Sequence, residues 1–165
     1  MPTATQRAKK STTRPQAPDA IDLLIDDHEK VKKLFKEFEK LAKKGDVEGK
    51  LEVAEKICEE LTLHAQLEEE IFYPAARASI QDDNLMNEAE VEHASAKDLI
   101  AQILAMSADD EMLDATVKVL SEYINHHVAE EEGQMFEKAR KKKMDLEALA
   151  VQMIERKEEL TAQVA

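Results

Sequence analysis

Two stretches of the chain, His64-Ala65-Gln66-Leu67-Glu68 and His127-Val128-Ala129-Glu130-Glu131, pair an imidazole with a carboxylate four residues later. On a helix, residues four apart share a face one turn along the axis, so each pair can aim a nitrogen and an oxygen at a common point. That is the geometry of a metal ligand pair. Only five histidines occur in 165 residues: besides His64 and the adjacent His126 and His127, there are two lone ones, His28 and His93. From His28 to His64 is 36 residues, and from His93 to His127 is 34.

These spacings describe one unit used twice. With His28 laid on His93 and His64 on His127, Lys32 meets Lys97, Leu34 meets Leu99 and Phe35 meets Ile100. Ile57 likewise meets Leu120, Leu61 meets Ile124, Glu69 meets Glu132 and Tyr73 meets Phe136. A helical hairpin repeated at near-equal length closes as four antiparallel helices, each directing one or two polar side chains inward.

The elements that must hold these residues are legible in the apolar pattern. Ile21, Leu24, Ile25, His28, Val31, Phe35 and Phe38 fall at helical spacing behind Asp19, a suitable N-cap, and predict a first helix to about Lys44, ended by Gly45. Asp46 can cap the second helix, whose face carries Val53, Ile57, Leu61, His64, Glu68, Ile71 and Phe72. Pro74 lacks a backbone donor, which predicts a kink or an end near Tyr73. A turn around 81–84 leads to a third helix with Met86, Ala89, His93, Ala96, Ile100 and Ile103 in line. Ser107 to Asp110 reads as the next turn and cap, and a fourth helix presents Val117, Leu120, Ile124, His127, Glu131 and Met135. The basic run Arg140 to Lys143 marks its C-terminal end, and Asp145 to about Ala162 forms a fifth, shorter amphipathic helix expected outside the bundle.

Composition agrees with an all-α chain and sets limits on function. Three glycines, four prolines and 4% aromatics leave little material for sheet and turns. The length suits one compact domain. Residues 1–18 hold Arg7, Lys9, Lys10, Arg14, three of the prolines and no acid, and read as a disordered basic leader. The remainder carries 19 basic and 36 acidic residues, a net charge of −17 that repels phosphate backbones and argues against nucleic acid as a partner. The lone Cys58 permits no internal disulfide, fits a reducing cytoplasm, and lies roughly 120° from the His64 face, as expected of a structural thiol. No apolar run approaches the roughly 18 residues of a membrane span, and no secretory signal is evident. Three segments follow: a leader over 1–18, a bundle over 19–143 and a C-terminal helix over 144–165.

The candidate metal ligands are therefore His28, His64, Glu68, His93, His127 and Glu131. Two glutamates from facing helices can bridge two metals, leaving two imidazoles for each, and such mixed N and O donors suit iron or another first-row metal. Four imidazoles and two carboxylates on apolar faces lose hydration without partners, so metal binding and folding should be coupled. Glu60 and Tyr123 lie on the same stripe one turn before the two motif histidines. Each either touches the ligands or bound oxygen species, or reaches water at the edge of the bundle.

The lone His, His-x-x-x-Glu, lone His, His-x-x-x-Glu order, in the settings Asp27-His28-Glu29 and Glu92-His93, resembles the hemerythrin-like proteins with the HHE cation-binding domain. Glu68-Glu69-Glu70-Ile71-Phe72-Tyr73-Pro74 is also similar to that family's stretch after the second histidine. The resemblance spans about residues 19 to 140 and implies an up-down four-helix bundle with two non-haem iron ions that meet O2 or hydrogen peroxide. The last helix is similar to a C-terminal extension of bacterial members. Oxygen carriers of the family have a fifth histidine one turn beyond the third-helix His, where this chain has Lys97, a side chain that tends to reach outward. Water, hydroxide, a carboxylate or His126, which is about 100° from His127 around the helix, must then complete the site. The expected function is binding of or reaction with O2 or peroxide in sensing or in oxidative and iron stress, in a cytoplasmic monomer. Reversible O2 carriage, peroxide turnover and a structural module holding a static metal are the alternatives.

Overall fold

The structure is a computed structural model that describes residues 17–164; the basic leader expected over 1–18 lies almost wholly outside the described residues. Asp19 starts the first helix as read from sequence. Its carboxylate accepts from the Asp22 N–H at 2.9 Å while the Asp22 carboxylate accepts from the Asp19 N–H at 3.1 Å, a reciprocal cap. Helix α1, Ala20–Lys44, ends at Gly45, whose φ of 72° is left-handed and suits a residue without Cβ. Asp46 then caps α2, Val47–Leu67, by accepting from the Gly49 N–H at 3.0 Å.

Of the kink or end expected near Tyr73, the end does not occur: the helix continues through Pro74. Helix α2 passes through one π-helical turn, Glu68–Phe72, into α3, Tyr73–Ile80, so that the Tyr73 N–H reaches back five residues to the Glu68 carbonyl. Pro74 falls in the first turn of α3, where a missing donor costs little. The second half does the same without a proline: α5, Leu113–Glu130, runs through the π turn Glu131–Met135 into α6, Phe136–Lys141. The wider turn is therefore a property of the repeat rather than a consequence of proline. Between the halves lies α4, Asp83–Leu104, capped by Asp82. The turn before α5 is longer than Ser107 to Asp110: the Asp110 carboxylate accepts from the Met112 N–H at 2.8 Å, and the helix starts at Leu113.

Four antiparallel helical columns result, with α1 beside α2, α4 beside α5, and cross-contacts from α2 to α4 and α1 to α5. Helix α7, Leu146–Val164, lies outside this bundle against α1, α2 and the first π turn, burying Leu149, Ala150, Met153 and Leu160. Among the described residues there is no strand, and no helix is long and apolar enough to cross a membrane.

The core is two apolar layers rather than one. At one end Leu24, Phe72, Met86, Met135 and Met153 pack together; at the other Val31, Phe38, Ile57, Ile103, Leu120 and Val128 do so. The histidines fall between: His28 separates Leu24 from Val31, and His127 separates Ile124 from Met135. A buried polar slab sits between two hydrophobic blocks.

Candidate metal centre

Each of the four columns carries one histidine into this slab. His28 comes from α1, His64 from the end of α2, His93 from α4 and His127 from the end of α5, and all four are buried. Glu68 and Glu131 open the two π turns and are buried almost completely. The donor atoms gather into two overlapping sets, each within 4.8 Å: His28, His64, Glu68 and Glu131 in one, Glu68, His93, His127 and Glu131 in the other. The glutamates are common to both. His64 Nε2 lies 2.7 Å from Glu68 Oε1, His127 Nε2 lies 3.1 Å from Glu131 Oε2, and His28 Nε2 lies 3.2 Å from Glu131 Oε1.

All four Nε2 atoms face inward because the opposite ring nitrogens face carboxylates. His64 Nδ1 donates to Asp27 at 3.0 Å; the Nδ1 atoms of His93 and His127 each lie 3.4 Å from Glu69 and Glu92, respectively. His28 Nδ1 lies 3.8 Å from Glu132, and neither it nor His127 Nδ1 makes an aligned hydrogen bond. The pattern has the symmetry of the repeat. The acid before each lone histidine serves the motif histidine of its own half, and the acid after each motif glutamate serves the lone histidine of the other half. A carboxylate on one ring nitrogen fixes the tautomer and leaves the other nitrogen's lone pair for a metal. Sequence places Asp27 and Glu92 in the motif settings and Glu69 and Glu132 at matched positions of the repeat but assigns none of them a role; their signal is adjacency, one residue from a candidate ligand in every case.

The electrostatics of the cluster are those of carboxylates seeking positive charge. Burial opposes protonation of His64 and His127, yet Glu68 and Asp27 push the first up to about 10, and Glu131 and Glu92 push the second up to about 11. Burial and the neighbouring Glu131 raise Glu68 to about 7, against the pull of His64. Glu131 is also disfavoured by burial, but His127 and His28 hold it well below the usual carboxylate range. His93 moves the other way, down to about 4, through burial and the repulsion of His127. Both oxygens of Glu68, Oε1 of Glu131, Oε2 of Glu92 and the Nδ1 atoms of His28 and His127 are buried without an aligned hydrogen-bond partner. Unpaired buried polar atoms are costly, and N and O donors in this number fit a pair of first-row metal ions, whose charge would replace the protons.

The remaining candidates are placed elsewhere. Glu60 forms an ion pair with Lys30 at 2.7 Å and lies outside both donor sets. His126 is 69% exposed and meets Glu130 at 3.2 Å, so it flanks the cluster instead of completing it. Lys97 turns outward to pair with Glu69, which itself touches His93. Tyr123, 45% exposed, lines a mostly apolar cavity of about 140 Å³ that reaches the histidines between Leu61, Ala96, Ile100 and Ile124. Cys58 is buried, and burial together with Glu55 pushes its thiol up to about 11, consistent with a packing role.

The tyrosine inside the cluster is Tyr73, which periodicity had not selected. Its hydroxyl donates to Glu131 Oε2 at 2.5 Å and lies 3.0 Å from His93 Nε2 and 3.3 Å from His127 Nε2. Five α-helical steps from Glu68 would turn Tyr73 about 140° away; the extra residue of the π turn brings it back to within about 40°. Burial, Glu68 and Glu131 hold its phenol well above the usual range.

A helical bundle with a central cluster of four histidines and two shared glutamates is a scaffold compatible with metal binding. The chain belongs to the hemerythrin HHE cation binding domain family, whose pattern its residues 19–139 match. An HHE cation binding domain-containing protein from Mycobacterium kansasii has the same fold, with a TM-score of 0.70 over 87% of each chain at 22% identity. A Nostoc sp. protein named as a DNA nickase is 33% identical over 115 residues, 70% of this chain. The chain spans about a third of the length of that relative, 32% of which is matched.

Proposed function

We propose that the chain is a non-haem di-iron protein that binds or reacts with O2 or hydrogen peroxide, in sensing or in oxidative and iron stress. The observation that carries this reading is the pair of overlapping donor sets sharing Glu68 and Glu131, with every imidazole backed by a carboxylate. His28 and His64 would hold one ion and His93 and His127 the other, with the two glutamates between them. Iron would supply the electrons that reduction of O2 or peroxide requires. The chain's own part is to hold six donors in place, exclude bulk water with Phe72, Ile100 and Ile124, and leave a small apolar cavity beside the donors. That cavity exceeds the space of one water molecule, room for a diatomic or for peroxide. The same reading takes residues 19–143 as the bundle unit, 144–165 as its docked helix, and the whole as a cytoplasmic monomer. A nicking activity is not carried over from the Nostoc relative: two thirds of that protein lies outside the match, and the −17 body here repels nucleic acid.

Elemental analysis after anaerobic Fe(II) loading tests the reading. Two irons per chain are expected, with a loss of at least one and of the metal-dependent gain in melting temperature in His64→Ala. One iron or none in the unmodified chain, or zinc that iron cannot displace, would overturn it in favour of a static structural metal. Repeated peroxide consumption by the loaded protein would then mark an enzyme, and a stable air-exposed state without consumption a carrier or sensor.

A further inference from the structure

The two halves of the centre differ in the aromatic ring that follows each π turn. In the repeat, Tyr73 corresponds to Phe136, and each is the first residue after its π turn. Phe136 stacks on His28 with ring centroids 6.0 Å apart and an interplanar angle of 6°, while Tyr73 lies against His93 at 5.1 Å and 38°. Only the His93 and His127 half therefore receives a hydroxyl oxygen, the half in which Lys97 turns away to Glu69.

We propose that the Tyr73 hydroxyl oxygen is a protein ligand of the ion held by His93 and His127. The inference rests on the di-iron reading above. Its geometric ground is that the oxygen sits 3.0 Å and 3.3 Å from two imidazole Nε2 atoms and 2.5 Å from Glu131 Oε2. Donors bound to one first-row ion at about 2.1 Å are roughly 3.0 to 3.4 Å apart when their bonds meet at 90° to 109°, so the two tyrosine–imidazole spacings match edges of one coordination shell, while the shorter contact to Glu131 is the hydrogen bond the ion would replace. The donor chemistry agrees. Glu69 and Glu92 lie against the Nδ1 atoms of the two rings, so both Nε2 atoms face the Tyr73 oxygen, whose single proton is engaged by Glu131. With both rings neutral, their Nε2 lone pairs and the phenol oxygen would converge on one point, an arrangement that a cation stabilises. When the ion binds, the phenol proton leaves for solvent and the oxygen keeps its electron pair for the metal. The His28 and His64 half, capped by the Phe136 ring, has no such oxygen and retains the exchangeable position, so the two ions are inequivalent.

The test uses the full chain loaded with two equivalents of iron under anaerobic conditions and oxidised to the ferric state with ferricyanide. Phenolate bound to ferric iron gives a visible charge-transfer band, and Raman excitation in it enhances tyrosine ring vibrations. Tyr73 and Tyr123 are the only tyrosines in the chain, so two variants assign the band. It is expected in the parent protein and in Tyr123→Phe, and lost in Tyr73→Phe, which places in the first half the residue that the second half already has. Two ferric ions without tyrosine vibrations in the parent would overturn the inference and leave the di-iron reading standing, whether or not the variants fold. Persistence of the band in Tyr73→Phe would overturn it as well. Fewer than two irons in the parent would overturn both.

Discussion

Asp27 illustrates how the candidate centre draws on residues one place removed from the candidate ligands. Its Oδ2 accepts from His64 Nδ1 at 3.0 Å while its Oδ1 lies 3.5 Å from Lys157 of α7. A carboxylate in that place raises the basicity of the ring and stops it rotating, and losing such partners typically weakens metal binding about 10- to 100-fold. Asp27→Ala should lower the affinity for Zn(II) or Fe(II) by that order, read by competition with a chelator, with the far-ultraviolet circular dichroism unchanged. An unchanged affinity would reduce Asp27 to a rim ion pair with Lys157. The residue scale is also where sequence reading was uneven. The six inward donors stood out because they sit on an apolar stripe and recur; Glu60 stood on the same stripe but found Lys30 within reach.

At the scale of elements, the caps and the π turns behave differently with respect to sequence. The Asp19 cap is local chemistry and was legible. Its carboxylate is disfavoured by partial burial but held below its usual pKa by the Asp22 N–H and by Arg140, which approaches to 3.0 Å. A carboxyl group with a lowered folded pKa contributes stability that is full above the unfolded value of 3.8 and is lost as pH falls through the folded value. Asp19→Ala should therefore cost about 1 kcal/mol at pH 7, with the difference shrinking as melts are taken at progressively lower pH below 3.8. A penalty equal at both ends of the range would show that the charge of Asp19 plays no part. The π turns were not legible, because no propensity encodes a single extra residue in a helix. They follow from placing Glu68 and Glu131 at the centre while α3 and α6 continue into the same core.

For the whole molecule, α7 is part of the fold rather than an appendage. It buries Met153 against the layer that holds Leu24, Phe72 and Met135, and its Arg156 and Lys157 reach Glu70 and Asp27. Met153→Ala should cost about 2–5 kcal/mol, the range for large-to-small changes in a packed core. In a chain of this length, that is a fall in melting temperature on the order of 10 °C. A shift within error would mean that α7 is loosely attached and that the bundle is stable without it.

What the sequence determined by itself is whatever repeats at helical spacing. The all-α class, the four columns and the fifth helix, the Asp19 and Asp46 caps and the six inward donors all follow from side chains whose partners lie a turn apart or recur in the second half. Only the tertiary structure decided the rest. The acids on the Nδ1 atoms of His28 and His93 come from the opposite half, so no local pattern links Glu132 to His28 or Glu69 to His93. Tyr73 enters the centre only because a π turn re-aims it, and the choice between Tyr73 and Tyr123 as the inner phenol is made by that rotation. Helical periodicity carries information along one column; which atoms meet across columns depends on packing, and packing is where the two nearly identical halves became different.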